Sequence, residues 1–360
     1  MGNKVLMKGT EAIGEAAVRA DCQCFFGYPI TPQTEVAAYM AKKMPKLGRA
    51  FVQAESEVAA INMVYGAAGT GVRCMTSSSS PGISLMAEGI SYLAGAELPC
   101  LIINIVRGGP GLGSIQAAQS DYFQATKGGG HGDYNMPVFA PSSVQEMVDL
   151  IQDAFDVADL YRTPSMVMGD GMLGQMMEPV EFREREPRRL PEKDWAATGL
   201  LGRTKHNVIN SLYLEPEELE QHNTRLQAKY KTIQENETRY ELFHCDREND
   251  LILVAYGTTS RICKNVIKAA EKDGIKLGLV RPITLWPFPD QAFEETVTRT
   301  KFGYLSVEMS AGQMVEDVRL AVNGRKPIDF YGRTGGMVPH PDDILARVKQ
   351  MVLEGVSLWH

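Results

Sequence analysis

No two of the six cysteines (Cys22, Cys24, Cys74, Cys100, Cys245 and Cys263) form a Cys-x-x-Cys pair, and no run of four has cluster spacing. An iron–sulfur or zinc centre carried by this chain alone is therefore not expected. Scattered thiols of this kind read as reduced, buried, small hydrophobes. Long apolar runs are missing too. The most apolar stretch, 98–106, is too short to cross a bilayer. An excess of basic residues is also absent: 37 Lys and Arg stand against 44 Asp and Glu, a net charge of −7. That balance argues against nucleic-acid partners and gives no sign of a membrane-surface role. The start, Met1-Gly2-Asn3-Lys4-Val5-Leu6, lacks a basic region followed by an apolar one, so no signal peptide is read there. A soluble, cytoplasmic protein is expected.

At 360 residues the chain exceeds what one core usually serves, which predicts two domains. Up to about residue 175, short apolar runs alternate with amphipathic segments. Strands are expected at 24–28, 50–53, 73–77, 101–106, 138–140 and 165–168, with helices near 10–20, 33–43, 57–68, 83–94 and 143–160. That alternation predicts an α/β fold whose parallel sheet is covered on both faces. The stretch 178–194 has eleven charged residues of seventeen and three prolines, and reads as an exposed connector. A long helix is expected over 215–240, with Leu219, Leu226, Tyr230 and Ile233 as its apolar stripe. It reads as packed on its own protein in preference to binding a partner. A second, smaller α/β domain is expected from about 249, with strands LILVAYG, KLGLVRP, GYLSVE and IDFYG. The organisation is thus 1–177, a 178–248 connector with its helix, and 249–360.

Open parallel sheets bind ligands at the carboxyl ends of their strands. There this sequence places Tyr28-Pro29-Ile30-Thr31-Pro32, then Glu55-Ser56-Glu57, then Ser77 to Gly82, then Arg107-Gly108-Gly109. A hydroxyl, a carboxylate, a serine-rich turn and a guanidinium thus reach one edge. Each has a plainer reading. The prolines make a rigid turn, Glu57 complements a helix dipole behind an N-capping Ser56, the serines bond locally, and Arg107 is a surface cation. Two tempting motifs fail. Gly66-Ala67-Ala68-Gly69-Thr70-Gly71 follows a helix where a dinucleotide fingerprint would follow a strand, so it is read as ending that helix and letting the chain approach the sheet. Gly169-Asp170-Gly171 has only the first half of a thiamine-diphosphate magnesium motif, without the Asn pair downstream, and is not read as a metal site.

Taken together, GYPITPQTE (27–35), AESEVAAINMVYGAA (54–68), TSSSSPG (76–82), EGISYLAGAELP (88–99), RGGPGLG (107–113), GGGHGDY (128–134), VRPITLWPFP (280–289) and EMSAGQMVEDV (308–318) resemble the separate-subunit 2-oxoacid:ferredoxin oxidoreductases over nearly the whole chain. The resemblance implies a pyrimidine-binding domain of the thiamine diphosphate fold followed by a transketolase-C-terminal-like domain. It implies an α-type subunit that shares thiamine diphosphate with a β subunit, with Mg2+ and iron–sulfur clusters on partner subunits. A γ subunit, a ferredoxin-like subunit or ferredoxin, a 2-oxoacid and coenzyme A complete the expected partners. By position, Glu57 corresponds to the carboxylate that bonds the cofactor's aminopyrimidine, with Tyr28 and Pro29 beside the cofactor. Thr31 and Arg107 correspond to contacts with the oxo-carboxylate end of the substrate. The implied reaction is CoA-dependent oxidative decarboxylation, nearest to chains assigned to 3-methyl-2-oxobutanoate. The alternatives are a 2-oxoglutarate enzyme or a non-catalytic scaffold of the same fold.

Overall fold

The computed structural model describes residues 4–184, 186 and 188–354. Met1 to Asn3 of the start, and Arg185 and Pro187 of the connector, lie outside the described residues. Seven strands make the first sheet, in the order Thr284–Trp286, Val138–Phe139, Pro164–Asp170, Cys100–Val106, Cys74–Ser78, Cys24–Gly27, Ala50–Gln53. All neighbours run parallel except the Thr284–Trp286 edge, which is antiparallel to Val138–Phe139. The fully buried strands Cys100–Val106 and Pro164–Asp170 occupy its middle, where near-continuous apolar runs belong. Side chains alternate between its faces. Leu101, Ile103 and Ile105 enter a core with Ile13, Met40 and Met147, while Ile102 and Val106 enter another with Ile61, Met86 and Met168.

The second core also takes in Ile252, Val254, Val280 and Tyr304, so one apolar mass joins the first sheet to a second one. That sheet has the order Ile328–Gly332, Tyr304–Glu308, Leu251–Val254, Leu277–Pro282, Tyr240–Phe243, the last antiparallel. The helices Gly9–Arg19, Thr34–Lys43, Glu57–Gly69, Ser80–Gly95 and Val144–Tyr161 follow the expected pattern closely. Three readings need correction. Charge density hid a strand at the start of the connector: Met177–Val180 pairs antiparallel with Val5–Lys8, and Val180 is fully buried. Several of the charges there are tied to the fold. Glu178 pairs with Arg261 at 2.7 Å, Arg188 with Glu237 at 2.7 Å, and Lys193 with Asp159 at 2.6 Å.

The long helix runs Pro216–Glu237, and its buried stripe is His222, Leu226, Tyr230, Ile233 and Glu237. Leu219 is 40% exposed, and His222 takes the place expected of it, its Nε2 2.8 Å from the Gly95 carbonyl. Lastly, the glycine motif ends helix Glu57–Gly69, but the close approach it allows is to the connector. Gly71 has φ +83°, and a Cβ there would come within 2.9 Å of the Ala196 Cβ. The Ala197 amide donates to the Gly69 carbonyl at 2.8 Å. Among the described residues, no helix is long and apolar enough to cross a membrane.

Candidate functional site

Ser56, in extended conformation, caps the helix Glu57–Gly69 by accepting the Ala59 amide at 3.1 Å. This cap fixes the direction of Glu57, the first helical residue, which turns inward and is 5% exposed. Glu55, two residues earlier, is exposed. The Glu57 carboxylate lies over the first turn of the next helix, Ser80–Gly95: a Cβ on Gly82 would fall 2.7 Å from Glu57 Oε1 and 2.0 Å from Ser78 Oγ. Only glycine leaves room there. No hydrogen bond or ion pair reaches this carboxylate among the described residues, and the adjoining Ser78 and Ser79 hydroxyls are buried without partners. Burying such hydroxyls without a partner costs free energy.

Arg107 follows the central strand and is 8% exposed. Its guanidinium donates to the Thr31 carbonyl at 3.0 Å and the Leu112 carbonyl at 3.1 Å, while Nε is buried and unpartnered. Arg107 is thus no surface cation; it pins the Thr31 turn to the glycine loop. The Thr31 side chain is exposed and lines an open cavity of about 590 Å3 with Pro32, Ile115, Met172 and Val338. Neither Glu57 nor Arg107 lines that cavity. Tyr28 is 37% exposed and Pro29 half-buried; no hydrogen bond links either side chain to Glu57. The four expected loops do meet at one edge, and the bonds that hold them are the following.

Gln33, fully buried, accepts from Ser77 Oγ at 2.6 Å and donates to the Tyr28 carbonyl at 3.3 Å. Ser80 Oγ accepts the Arg107 amide at 3.1 Å. Asn104 accepts the Ser80 amide at 3.2 Å and donates to Asp121 at 2.9 Å. Burial pushes the Asp121 carboxyl up, against the lowering effect of Asn104. Sequence reading missed Gln33, Asn104 and Asp121. Asn104 had a signal, as the one polar residue inside an otherwise apolar strand. Asp170 caps the short helix after its strand by accepting the Met172 and Leu173 amides at 3.0 Å each. Its carboxyl is likewise raised by burial. Among the described residues no group of three or more His, Cys, Asp or Glu is placed to hold a metal ion. All six thiols are free; burial raises Cys22 to about 12 and Cys245 to about 11.

Residues 15–241 match the family described as pyruvate flavodoxin/ferredoxin oxidoreductase, thiamine diphosphate-binding. Residues 249–344 match pyruvate:ferredoxin oxidoreductase core domain II. The chain is 48% identical to ketoisovalerate oxidoreductase subunit VorB of Methanothermobacter marburgensis, over 97% of this chain and 98% of that one. It is 34% identical to 2-oxoglutarate synthase subunit KorA of Methanothermobacter thermautotrophicus, over 98% and 100%. Among solved structures, 2-oxoglutarate:ferredoxin oxidoreductase from Magnetococcus marinus, with 2-oxoglutarate, coenzyme A and succinyl-CoA bound, superposes with a TM-score of 0.88 at 26% identity. That match covers 98% of this chain and 66% of the other. A split-gene transketolase, at 14% identity and a TM-score of 0.60 over 99% and 100%, shares the fold alone.

Proposed function

The chain belongs to the pyruvate flavodoxin/ferredoxin oxidoreductase family, and from that membership we propose that it is the α-type subunit of a 2-oxoacid:ferredoxin oxidoreductase. Its substrate is 3-methyl-2-oxobutanoate, the reading favoured by the 48% identity to a ketoisovalerate subunit over the 34% to a 2-oxoglutarate one. The reaction consumes coenzyme A and gives acyl-CoA, carbon dioxide and reduced ferredoxin. The observation that carries the reading is the inward-turned Glu57, 5% exposed and without a hydrogen bond among the described residues, beside the buried, unpartnered Ser78 and Ser79 hydroxyls.

These residues fit the aminopyrimidine half of thiamine diphosphate, a ring rich in donors and acceptors. When bound, the cofactor supplies the carbanion chemistry of decarboxylation. Glu57 would hold the ring by one charge-assisted hydrogen bond and set its protonation, with Tyr28 and Pro29 as the neighbouring residues on this chain. Thr31 offers one hydroxyl to the substrate, and Arg107 presents its remaining guanidinium protons to the substrate carboxylate. The pyrophosphate half, Mg2+ and the iron–sulfur clusters belong to partner subunits: a thiamine-binding β subunit, a γ subunit and a ferredoxin-like protein. Within this chain 1–177 is the pyrimidine-binding unit, 178–248 the connector with its helix, and 249–360 the transketolase-C-terminal-like unit.

The test is reconstitution. Purified alone, the chain is expected to be colourless, to bind thiamine diphosphate weakly and to show no turnover. Adding the β subunit restores cofactor binding in a calorimetric titration, and the full complex turns over 3-methyl-2-oxobutanoate faster than 2-oxoglutarate. Stoichiometric iron or decarboxylation in the lone chain would overturn the divided site; a complete complex without turnover would favour the scaffold.

A further inference from the structure

The strand Cys100–Val106 is apolar and buried throughout, except that residue 104 is asparagine with no exposed surface. Asn104 shares a face with Ile102 and Val106, which enter the core joining the two sheets. An amide there is tolerated only when both of its ends are satisfied. Its Nδ2 donates to Asp121 Oδ2 at 2.9 Å, and its Oδ1 accepts the Ser80 amide at 3.2 Å. Ser80 is the first residue of the helix whose Gly82 lies under Glu57. Its hydroxyl accepts the Arg107 amide at 3.1 Å and donates to the Arg107 carbonyl at 3.3 Å.

At the far end, Asp121 sits on a segment held by the second sheet's loops. The Gln119 amide donates to the Met309 carbonyl at 2.8 Å, and Gln313 Nε2 donates to the Ser120 carbonyl at 2.8 Å. A path of hydrogen bonds, joined by the backbone of 119–121, therefore runs from the second sheet's loops through Asp121, Asn104 and Ser80 to the backbone of Arg107. We propose that Asn104 and Asp121 are positioning residues for the 2-oxoacid site, holding Ser80 and Arg107 in register through this path. The inference rests on the function proposed above for Arg107, but its physical core, the relay, can be read without catalysis.

Two measurements test it. In the lone full-length chain, Asn104→Leu is expected to speed hydrogen exchange several-fold in peptides covering 79–83 and 105–109, with exchange in the second sheet unchanged. In the reconstituted complex the same variant raises KM for the 2-oxoacid on the order of tenfold and leaves kcat within about twofold, as loss of ground-state positioning does. Asp121→Asn keeps an oxygen for Asn104 and is expected to match the wild type, whereas Asp121→Leu reproduces the Asn104→Leu behaviour. That pair decides the matter should Asn104→Leu not fold. Unchanged exchange and KM in Asn104→Leu, or equal effects of Asn and Leu at 121, would overturn the relay. A wild-type complex without 2-oxoacid turnover would sink the proposed function and leave the exchange result to judge the relay.

Discussion

Glu57 and Glu55 are separated by one serine, yet one is buried against a neighbouring helix and the other faces water. The difference follows from the Ser56 cap, which sets the helix start and with it the direction of every later side chain. If the buried carboxylate holds the cofactor ring, Glu57→Gln preserves shape and removes charge. The expected result is a fall in kcat on the order of a hundredfold, comparable to losing one preorganised electrostatic contact, with an unchanged melting temperature. Normal turnover in that variant would move the role elsewhere. Arg107→Lys is the complementary experiment. A single ammonium cannot span both the Thr31 and Leu112 carbonyls and still present a fork. Losing one charge-assisted bond, roughly 1.5–3 kcal/mol, should lower kcat/KM by about ten- to a hundredfold. The loss should be alike for 3-methyl-2-oxobutanoate and 2-oxoglutarate, with cofactor affinity unmoved; a loss confined to 2-oxoglutarate would mean that Arg107 reads the distal carboxylate. At this scale the sequence announced the loops but not their fastenings. Gln33 finds Ser77, and Asn104 finds Asp121, only once the strands are laid side by side, and no local pattern records such a pairing.

Elements were legible where burial imposed a period. The strand at 100–106 and the helix at 144–161 declare themselves by apolar spacing alone, and their ends fell within a few residues of expectation. The two-stranded ribbon of Val5–Lys8 and Met177–Val180 did not, because only Val180 in it is fully buried and charge surrounds it. The long helix was legible in extent and in the Leu226, Tyr230 and Ile233 part of its stripe, but not at its first turns. Its stripe passes through His222, which a hydrophobic count ignores, and the count took Leu219 in its stead. A pair of substitutions checks the phase. Ile233→Ala should cost about 2–5 kcal/mol in chemical denaturation, the range for emptying a packed site. Leu219→Ala should stay within about 0.5 kcal/mol. Comparable losses at both positions would show that the helix sits rotated about its axis.

For the whole molecule, the informative strand is Thr284–Trp286. It belongs to the later half of the sequence, yet it closes the first sheet by pairing with Val138–Phe139. The Ala140 amide reinforces that seam by donating to the Ile283 carbonyl at 2.8 Å. A chain cut at residue 248 therefore loses more than its second unit: it uncovers the backbone of Val138–Phe139 as a raw sheet edge, the kind of surface that templates intermolecular pairing. Residues 1–248 expressed alone should sediment as aggregates at concentrations where the full chain stays monodisperse. Adding residues 249–360 as a separate polypeptide during refolding should rescue them by strand complementation. If 1–248 proves monomeric and stable, the seam is dispensable. If it behaves as expected, the gene tolerates fission at this point only when both products are made together, so the boundary that looks like a joint in the sequence acts, in the folded protein, as a hem.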